Sequence, residues 1–205
     1  MIALFPLPGA LLLPGGQLPL NIFEPRYLRM IDDVLATSRT IGMVQTMSGA
    51  TAGEPALYSV GCAGRLTSFN ETDDGRYVVN LTGMRRFSIV EEIDAATPYR
   101  QANVDYAAFA RDAGADPTAD AVDRDRLEMA MRDYLEAEGL KTDWDAVGDA
   151  PTQALIVSLA MGCPFKPAEK QALLEAADTA ARAECLIALM EMSRGDGGDD
   201  TTTVN

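Results

Sequence analysis

Glu24, Arg26 and Tyr27 have residue types and spacing that could support chemistry, and they stand in NIFEPRYLRMIDDVL, residues 21–35. A carboxylate and a phenol can exchange protons, and a guanidinium can bind an anion. No serine, cysteine or histidine occurs in this segment to serve as a nucleophile or as its base. We therefore predict a structural corner in which Pro25 begins a helix, Glu24 favours its N-terminus, and Tyr27 starts its apolar face.

This corner also predicts one long-range contact. Arg86, in the strand-like segment GMRRF, is the cation that we expect to pair with Glu24 and so pin the helix to the strands. Their charged groups would then lie within about 4 Å, the usual limit for an ion pair. On this interpretation the corner is a platform, and the binding surface of the protein lies elsewhere.

The other chemically capable side chains are isolated from one another. The chain has no histidine, and its three cysteines, Cys62, Cys163 and Cys185, lack the spacing of a metal site. Adjacent carboxylates point in different directions and seldom converge on one substrate. Such pairs occur at Asp32-Asp33, Asp73-Asp74, Glu91-Glu92 and Asp199-Asp200. Neither a G-x-S-x-G nor a G-x-x-x-x-G-K-[ST] motif is present. The sequence predicts no enzyme activity, no metal, no cofactor and no ATP binding.

Charge is distributed unevenly along the 205 residues, whose net charge is −14. Residues 1–110 hold 8 Lys/Arg against 11 Asp/Glu, and residues 111–205 hold 9 against 20. A surface this acidic repels phosphates and disfavours nucleic-acid binding. The local positive clusters are Arg85-Arg86 and Arg26 with Arg29. RNA binding through these clusters remains an alternative.

The apolar N-terminus lacks the features of an export signal. In MIALFPLPGALLLPGGQLPL, proline or glycine recurs every few residues, and the first basic residue of the chain is Arg26. No other segment approaches ~20 uninterrupted apolar residues, the length that spans a membrane. We therefore expect a cytoplasmic protein without a membrane partner.

The first half of the chain must position the corner, and its pattern is that of strands. Residues 1–110 contain six or seven short apolar segments, with one amphipathic helix after Pro25. Asp74-Gly75 in ETDDGR marks a tight hairpin turn. This pattern predicts a small, partly closed β-barrel.

The second half of the chain has a helical pattern. Residues 111–122 are rich in Ala, Asp and Gly and are typical of a linker. Residues 123–194 predict a helical bundle whose first helix begins near Asp123. Residues 195–205 have almost nothing to bury, so we expect a disordered tail. The predicted fold class is thus α+β.

Several segments together resemble the N-terminal substrate-binding domain of the Lon protease family. They are LFPLPGALLLPGGQLPLNIFEPRYLRMIDDVL, IGMV, LYSVGCAGRLTSFNETDDGRYVVNLTGMRRFSIVEE and, more weakly, DAPTQALIVSLAMGCPFKPAEKQALLEAADTAARAECLIALME. The resemblance implies a PUA-like β-barrel followed by a small helical bundle, the region that recognises substrates in Lon. No segment resembles the ATPase or the Ser–Lys peptidase of Lon, so a standalone recognition module is expected.

By this resemblance the protein is a non-catalytic polypeptide-recognition module, an adaptor or substrate-holding protein for a protease or chaperone system. The candidate contact residues are apolar residues in predicted loops: Leu11, Leu12 and Leu13 in GALLLPGG, Met47 in QTMSGA, and Phe165 in GCPFKP. The alternative is that these side chains close the ends of the barrel and dock the helices. Two other functions stay open, an RNA-binding PUA-like protein and an uncharacterised small-ligand enzyme. The partner, the binding surface and the oligomeric state do not follow from the sequence.

Overall fold

The computed structural model describes residues 1–47, 55–114 and 116–196. Strands dominate the first half of the chain. The elements there are β1 (Ile2–Pro6), β2 (Gln17–Ile22), α1 (Pro25–Leu35), β3 (Thr40–Val44), β4 (Val60–Glu71), β5 (Tyr77–Ile93) and β6 (Gln101–Asp105). The second half is helical. Its elements are two 3₁₀ helices (Ala107–Ala113 and Pro117–Ala121), α2 (Arg124–Ala137), α3 (Trp144–Asp149), α4 (Thr152–Gly162), α5 (Pro167–Glu175) and α6 (Thr179–Asp196).

The six strands form one sheet that closes partly on itself. Their order is β2-β5-β4-β3-β1-β6, and β6 pairs with β5 as well as with β1. The long strand β5 serves two neighbours along one edge, because Tyr77–Thr82 pair with β2 and Ser88–Ile93 pair with β6. Pairing therefore returns to β5 and closes a ring of five strands, with β2 attached outside it. The α+β class and the partly closed barrel are confirmed.

The predicted hairpin turn lies between β4 and β5. Gly75 adopts a φ of 78°, the left-handed conformation that glycine tolerates best. Asp74 accepts a hydrogen bond from the hydroxyl of Thr72 at 2.5 Å, and the backbone N–H of Gly75 bonds the Thr72 carbonyl at 2.9 Å. Both contacts hold the turn in the register that the following strand requires.

Helix α1 begins at Pro25 as predicted, and its apolar side faces the strands. Its buried residues are Tyr27, Met30, Ile31 and Val34. Two tyrosines, one in β5 and one just before β6, form hydrogen bonds with its acidic residues. The Tyr77 hydroxyl donates to Asp32 at 3.0 Å, and the Tyr99 hydroxyl donates to Asp33 at 2.9 Å. The helix is thus fixed by apolar burial on one side and by phenol–carboxylate bonds on the other.

Contacts group the chain into two compact units with three crossings between them. The first is Met1–Ala115 with Met161–Glu175, and the second is Asp116–Ala160 with Ala176–Asn205. We predicted residues 123–194 as one helical bundle, whereas α5 groups with the strands. The predicted linker, residues 111–122, contains the end of the first 3₁₀ helix and the whole of the second. Most of the predicted tail, residues 197–205, lies outside the described residues.

Two buried glutamines explain why α5 belongs to the first unit. The Gln45 side-chain nitrogen donates to the Pro167 carbonyl at 3.1 Å and to the Gln171 side-chain oxygen at 3.2 Å. Gln171 in turn donates to the Val60 carbonyl, where β4 begins, at 3.2 Å. Buried amides of this kind are costly to leave unpaired, so they fix the position of α5 against β3 and β4.

Helix caps define the second unit. Asp123 precedes α2 and accepts from the Arg126 N–H at 3.0 Å, which confirms the predicted start of that helix. Asp116 has a double role, because it accepts from the Thr118 N–H at 3.0 Å and from the Thr179 N–H at 2.7 Å. It therefore caps the second 3₁₀ helix and α6 together.

Replacing Asp116 by alanine is expected to destabilise the second unit by about 1–2 kcal/mol at pH 7, as loss of an N-cap does. Burial alone would raise the pKa of Asp116, but hydrogen bonds from Thr179 and Thr118 hold that pKa well below its usual value. A depressed native pKa stabilises the fold above the unfolded value, near 3.9, and this stabilisation disappears as the pH falls toward the native pKa. The difference between wild type and variant should therefore shrink below about pH 4.

Urea unfolding followed by the fluorescence of Trp144 tests this expectation, because the chain's single tryptophan lies in the second unit. Glu136→Ala, which removes an exposed carboxylate in the last turn of α2, is the matched control and should leave the unfolding midpoint nearly unchanged. Equal midpoints for Asp116→Ala and wild type at pH 7 would contradict the double cap.

Candidate functional site

An apolar groove of about 350 Å³ lies in the first unit, at the corner between β2 and α1. It is bordered by the end of β1, the end of β2, the first turn of α1 and the residues that precede β6. Its lining comprises Phe5, Pro6, Leu7, Pro8, Leu20, Asn21, Ile22, Phe23, Glu24, Arg26, Tyr27, Thr46, Pro55 and Arg100. The volume is within the range of ligand-binding clefts and would hold two or three side chains of an extended chain.

The groove is open because two strands leave an edge uncovered. β6 pairs with β1 only at Ile2 and Ala3, so among the described residues no strand lies beside the end of β1 on that edge. β2 is the terminal strand of the sheet order and pairs with β5 alone among the described strands. Pro19 lies within β2 and has no N–H, which is usual on an edge strand because it discourages unwanted strand pairing.

Aromatic side chains form the floor and one wall. The rings of Phe5 and Tyr27 meet edge to face with centroids 4.4 Å apart. Both are buried, which keeps the floor rigid. Phe23, directly before the corner, is 64% exposed and stands at the wall of the groove. Burial of this exposed phenylalanine under an apolar group of a partner would be favourable in free energy.

The charged groups of the groove are held in ion pairs. Glu24 binds Arg26 at 2.8 Å, and the Arg26 guanidinium lies 4.5 Å from the centre of the Tyr27 ring. Arg100 binds both carboxylate oxygens of Glu92 at 2.5 and 2.6 Å and donates to the Pro55 carbonyl at 2.7 Å. The described lining contains no serine, cysteine, lysine or histidine. The groove can bury apolar groups, and it does not bring a nucleophile to a base.

The structure places four of the five predicted contact residues inside the protein. Leu11, Leu12, Leu13 and Phe165 are buried, and Met47 alone is substantially exposed, at 46%. Met47 follows Thr46 of the groove lining. The burial of the three leucines matches the alternative that they close the barrel, and in this conformation they offer no surface to a partner.

The predicted Glu24–Arg86 ion pair is wrong. Glu24 pairs with Arg26 at the surface, whereas the Arg86 side chain is 4% exposed and binds Asp112 at 2.8 Å. Arg86 also donates to the Leu174 carbonyl at 2.9 Å. The acceptor came from the segment predicted as a linker, where the Ala/Asp/Gly composition gave no sign of a buried carboxylate.

The arginines that suggested RNA binding all have protein partners. Besides the pairs of Arg26 and Arg86, Arg29 binds Asp33 at 3.0 Å. Arg85 donates to the carbonyls of Phe109 and Tyr106 at 3.1 and 3.0 Å. Carboxylates thus neutralise Arg26, Arg29 and Arg86, and the donors of Arg85 are engaged by carbonyls, which does not favour phosphate binding. No group of three or more His, Cys, Asp or Glu side chains suited to a metal ion occurs in the part of the chain that the structure describes.

Sequence reasoning placed the binding surface away from this corner, and it missed both the groove and the exposure of Phe23. One signal was present: in the apolar segment 18–23, Leu18, Leu20 and Ile22 alternate along the chain and would share one face of a strand, so Phe23 falls on the other. An aromatic residue on the outer face of an edge strand, directly before a helix, was a candidate for exposure.

Comparison with known families identifies the group of proteins to which this chain belongs. Residues 1–192 match the model of the ATP-dependent protease La (Lon) substrate-binding domain. The chain belongs to this family. The resemblance found in the sequence is thereby confirmed for nearly the whole chain, including the corner and both units.

Lon proteases from several bacteria share this region. Lon protease 2 of Myxococcus xanthus is 25% identical over 205 residues, which cover 95% of this chain and 24% of that protein. Lon protease 1 of Herpetosiphon aurantiacus is 30% identical over 103 residues, 48% of this chain and 13% of that protein. The chain spans about a quarter or less of the length of these curated relatives.

Solved Lon N-terminal domains share the fold. A Lon N-terminal domain protein from Xanthomonas campestris superposes with a TM-score of 0.63 at 24% identity, covering 91% of this chain and 96% of that one. The N-terminal domain of a Mycobacterium avium complex Lon protease gives a TM-score of 0.68 at 18% identity, with coverages of 93% and 97%. Within the described residues, no helix is both long and apolar enough to cross a membrane.

Proposed function

We propose that this protein is a non-catalytic recognition module that binds apolar segments of polypeptides in the corner groove. The observation that carries the proposal is an open, largely apolar groove with an exposed Phe23, on a chain of the Lon substrate-binding family. An extended segment could place two or three side chains against the Phe5–Tyr27 floor. A folded surface could not enter a cleft of this volume.

The setting of this activity is inferred from the relatives. They are named Lon proteases, and the region they share with this chain is the substrate-binding one. We propose that the protein acts in the cytoplasm as an adaptor or substrate-holding module, presenting polypeptides to a protease or a chaperone. The charged groups of the groove are held in ion pairs, and its described lining has no serine, cysteine, lysine or histidine, which supports binding without chemistry.

Phe23→Ala is expected to weaken peptide binding by roughly 5–30-fold, because about 1–2 kcal/mol of apolar burial would be lost. The fold should be unaffected, since the Phe23 side chain is already mostly exposed. A peptide array of 12-residue sequences, varied in hydropathy and charge, would first identify binders. Fluorescence anisotropy with the best binders would then give the dissociation constants of wild type and variant.

Val90→Ala is the matched control, because Val90 is 66% exposed and lies in β5 outside the groove. It should bind the same peptides as tightly as wild type. Retention of full affinity by Phe23→Ala would refute the groove as the binding site. Failure of the wild type to enrich any peptide over an unrelated acidic protein would refute polypeptide recognition itself.

A further inference from the structure

The chemistry of the groove gives a more specific indication of what it binds than its apolar lining alone. Both of its arginines are already neutralised by carboxylates, Arg26 by Glu24 and Arg100 by Glu92. Arg100 uses its remaining reach on the Pro55 carbonyl. An acidic side chain entering the groove would therefore have to displace an existing ion pair, and its desolvation would go uncompensated.

In contrast, a carboxylate of the groove, Glu24, has acceptor capacity that is not used in the described part of the chain. Arg26 uses its Nε and one terminal nitrogen on the same Glu24 oxygen, Oε2. The structure records no hydrogen bond from the described residues to the other oxygen of Glu24, whose side chain is partly exposed. That oxygen keeps the capacity to accept a hydrogen bond from a donor such as a lysine ammonium or an arginine guanidinium.

Proline residues add to this one-sided chemistry. Pro6, Pro8 and Pro55 line the groove and have no N–H to offer. The Leu4 N–H donates to the Arg100 carbonyl. Because backbone groups two residues apart in a strand point to the same edge, the Pro6 carbonyl points to that edge as well, beyond the last residue of β1 that pairs with β6. The Pro6 carbonyl is thus a backbone acceptor on this side of the groove, and the three prolines contribute no N–H beside it.

The charge of the first unit acts in the same direction. This unit holds 11 Lys/Arg against 14 Asp/Glu, and this excess of carboxylates favours positively charged segments over acidic ones. Such a field raises the association rate of the complementary partner and disfavours others. Local acceptors and the charge of this unit therefore select the same class of polypeptide.

We propose that the groove prefers extended segments in which large apolar residues are flanked by lysine or arginine, over the same apolar segments with acidic flanks. This inference rests on the proposed function and names its substrate class. The apolar side chains lie on the Phe5–Tyr27 floor beside Phe23, and a flanking cation binds Glu24.

Four synthetic 12-residue peptides test the proposal by fluorescence anisotropy with the full chain. They combine lysine or glutamate flanks with a Phe-Leu-Phe or a Ser-Gly-Ser centre. The Lys-flanked Phe-Leu-Phe peptide is expected to bind at least about tenfold more tightly than its Glu-flanked counterpart at low ionic strength, and high salt should reduce this difference. Both Ser-Gly-Ser peptides should bind weakly.

Two charge variants separate the local carboxylate from the overall field. Glu24→Gln should reduce the preference for lysine flanks at least about threefold, because the open acceptor loses its charge. Asp73→Asn removes the same charge from an exposed turn position outside the groove and should leave the preference unchanged.

Each of the remaining outcomes would refute a specific proposal. Equal affinity for lysine and glutamate flanks, with binding still lost in Phe23→Ala, would refute the substrate class and leave the proposed function standing. Tight binding of Lys-flanked peptides regardless of their centre would indicate adsorption by charge alone and refute the groove preference. Absence of binding by all four peptides would refute both proposals.

Discussion

Replacing Arg86 by methionine is expected to destabilise the first unit by about 3–5 kcal/mol, the cost of breaking a buried ion pair from one side. The Arg86 and Asp112 side chains are 4% and 7% exposed, and two guanidinium nitrogens contact the carboxylate at 2.8–3.2 Å. Methionine preserves much of the volume and removes the cation. The Asp112 carboxylate then stays buried without a counterion, and the Leu174 carbonyl loses its donor.

The companion variant Asp112→Asn separates charge from hydrogen bonding. The Arg86 backbone N–H also donates to Asp112, at 2.8 Å, and an asparagine oxygen can still accept that bond. In the double variant no charge is left unpaired, so its destabilisation should be clearly smaller than the sum of the two single effects. Urea unfolding followed by far-UV circular dichroism, with hydrogen exchange of β4 and β5, would measure all three.

Arg76→Met is the control for this experiment. Arg76 pairs with Asp74 in the exposed hairpin turn, where solvent screens both charges. Its unfolding midpoint should match that of wild type. A wild-type midpoint for Arg86→Met would mean that the buried pair contributes nothing to the first unit.

Gly83→Ala should destabilise the same unit by about 3 kcal/mol, the upper end of the cost of overpacking. A Cβ atom at Gly83 would overlap the backbone carbonyl of Leu13 and lie 3.3 Å from a methyl carbon of Leu12. The obstacle is backbone, which cannot turn aside as a side chain does. Gly83 also exchanges backbone hydrogen bonds with Gly15 and Gly16, at 2.9 and 2.8 Å, so any shift breaks this contact as well.

The variant should therefore expose the buried leucines Leu11, Leu12 and Leu13. An increase in binding of a hydrophobic dye, together with a lowered unfolding midpoint, would show it. Gly114→Ala is the matched control in the first unit, since its φ of −138° suits any residue and no atom lies within 4 Å of a new Cβ. If Gly83→Ala were as stable as wild type, the close approach of this loop to β5 would be disproved.

Local signals in the sequence were sufficient where a single residue dictates backbone geometry. Pro25 set the start of α1, Asp74-Gly75 set the hairpin, and Asp123 set the start of α2. In each place the missing N–H, the left-handed φ or the capping oxygen acts within a few residues. The family resemblance then supplied the order of the elements and the fold class.

Features that depend on distant partners were not predictable in the same way. Arg86 could have met any of several carboxylates, and its partner Asp112 lies 26 residues away in a segment with the composition of a linker. The helix Trp144–Asp149 spans only six residues, too few for a periodic pattern to show. β5 continues through Gly83 as one 17-residue strand. The loop that contains Leu12 and Leu13 approaches the strand at Gly83, where any side chain would clash with it.

The return of residues 161–175 to the first unit has a consequence for how the chain is made. During synthesis the strands emerge first, but α5, which completes their unit through Gln171, emerges only after more than 40 residues of the second unit. The nascent barrel therefore cannot form its contacts with α5 until residue 175 has left the ribosome. Until then the Val60 carbonyl and the Gln45 amide lack these hydrogen-bond partners. N-terminal domains usually fold as soon as they emerge. Here folding of the first unit should be complete only late in synthesis, and a fragment ending at residue 115 should be less stable than the unit within the full chain.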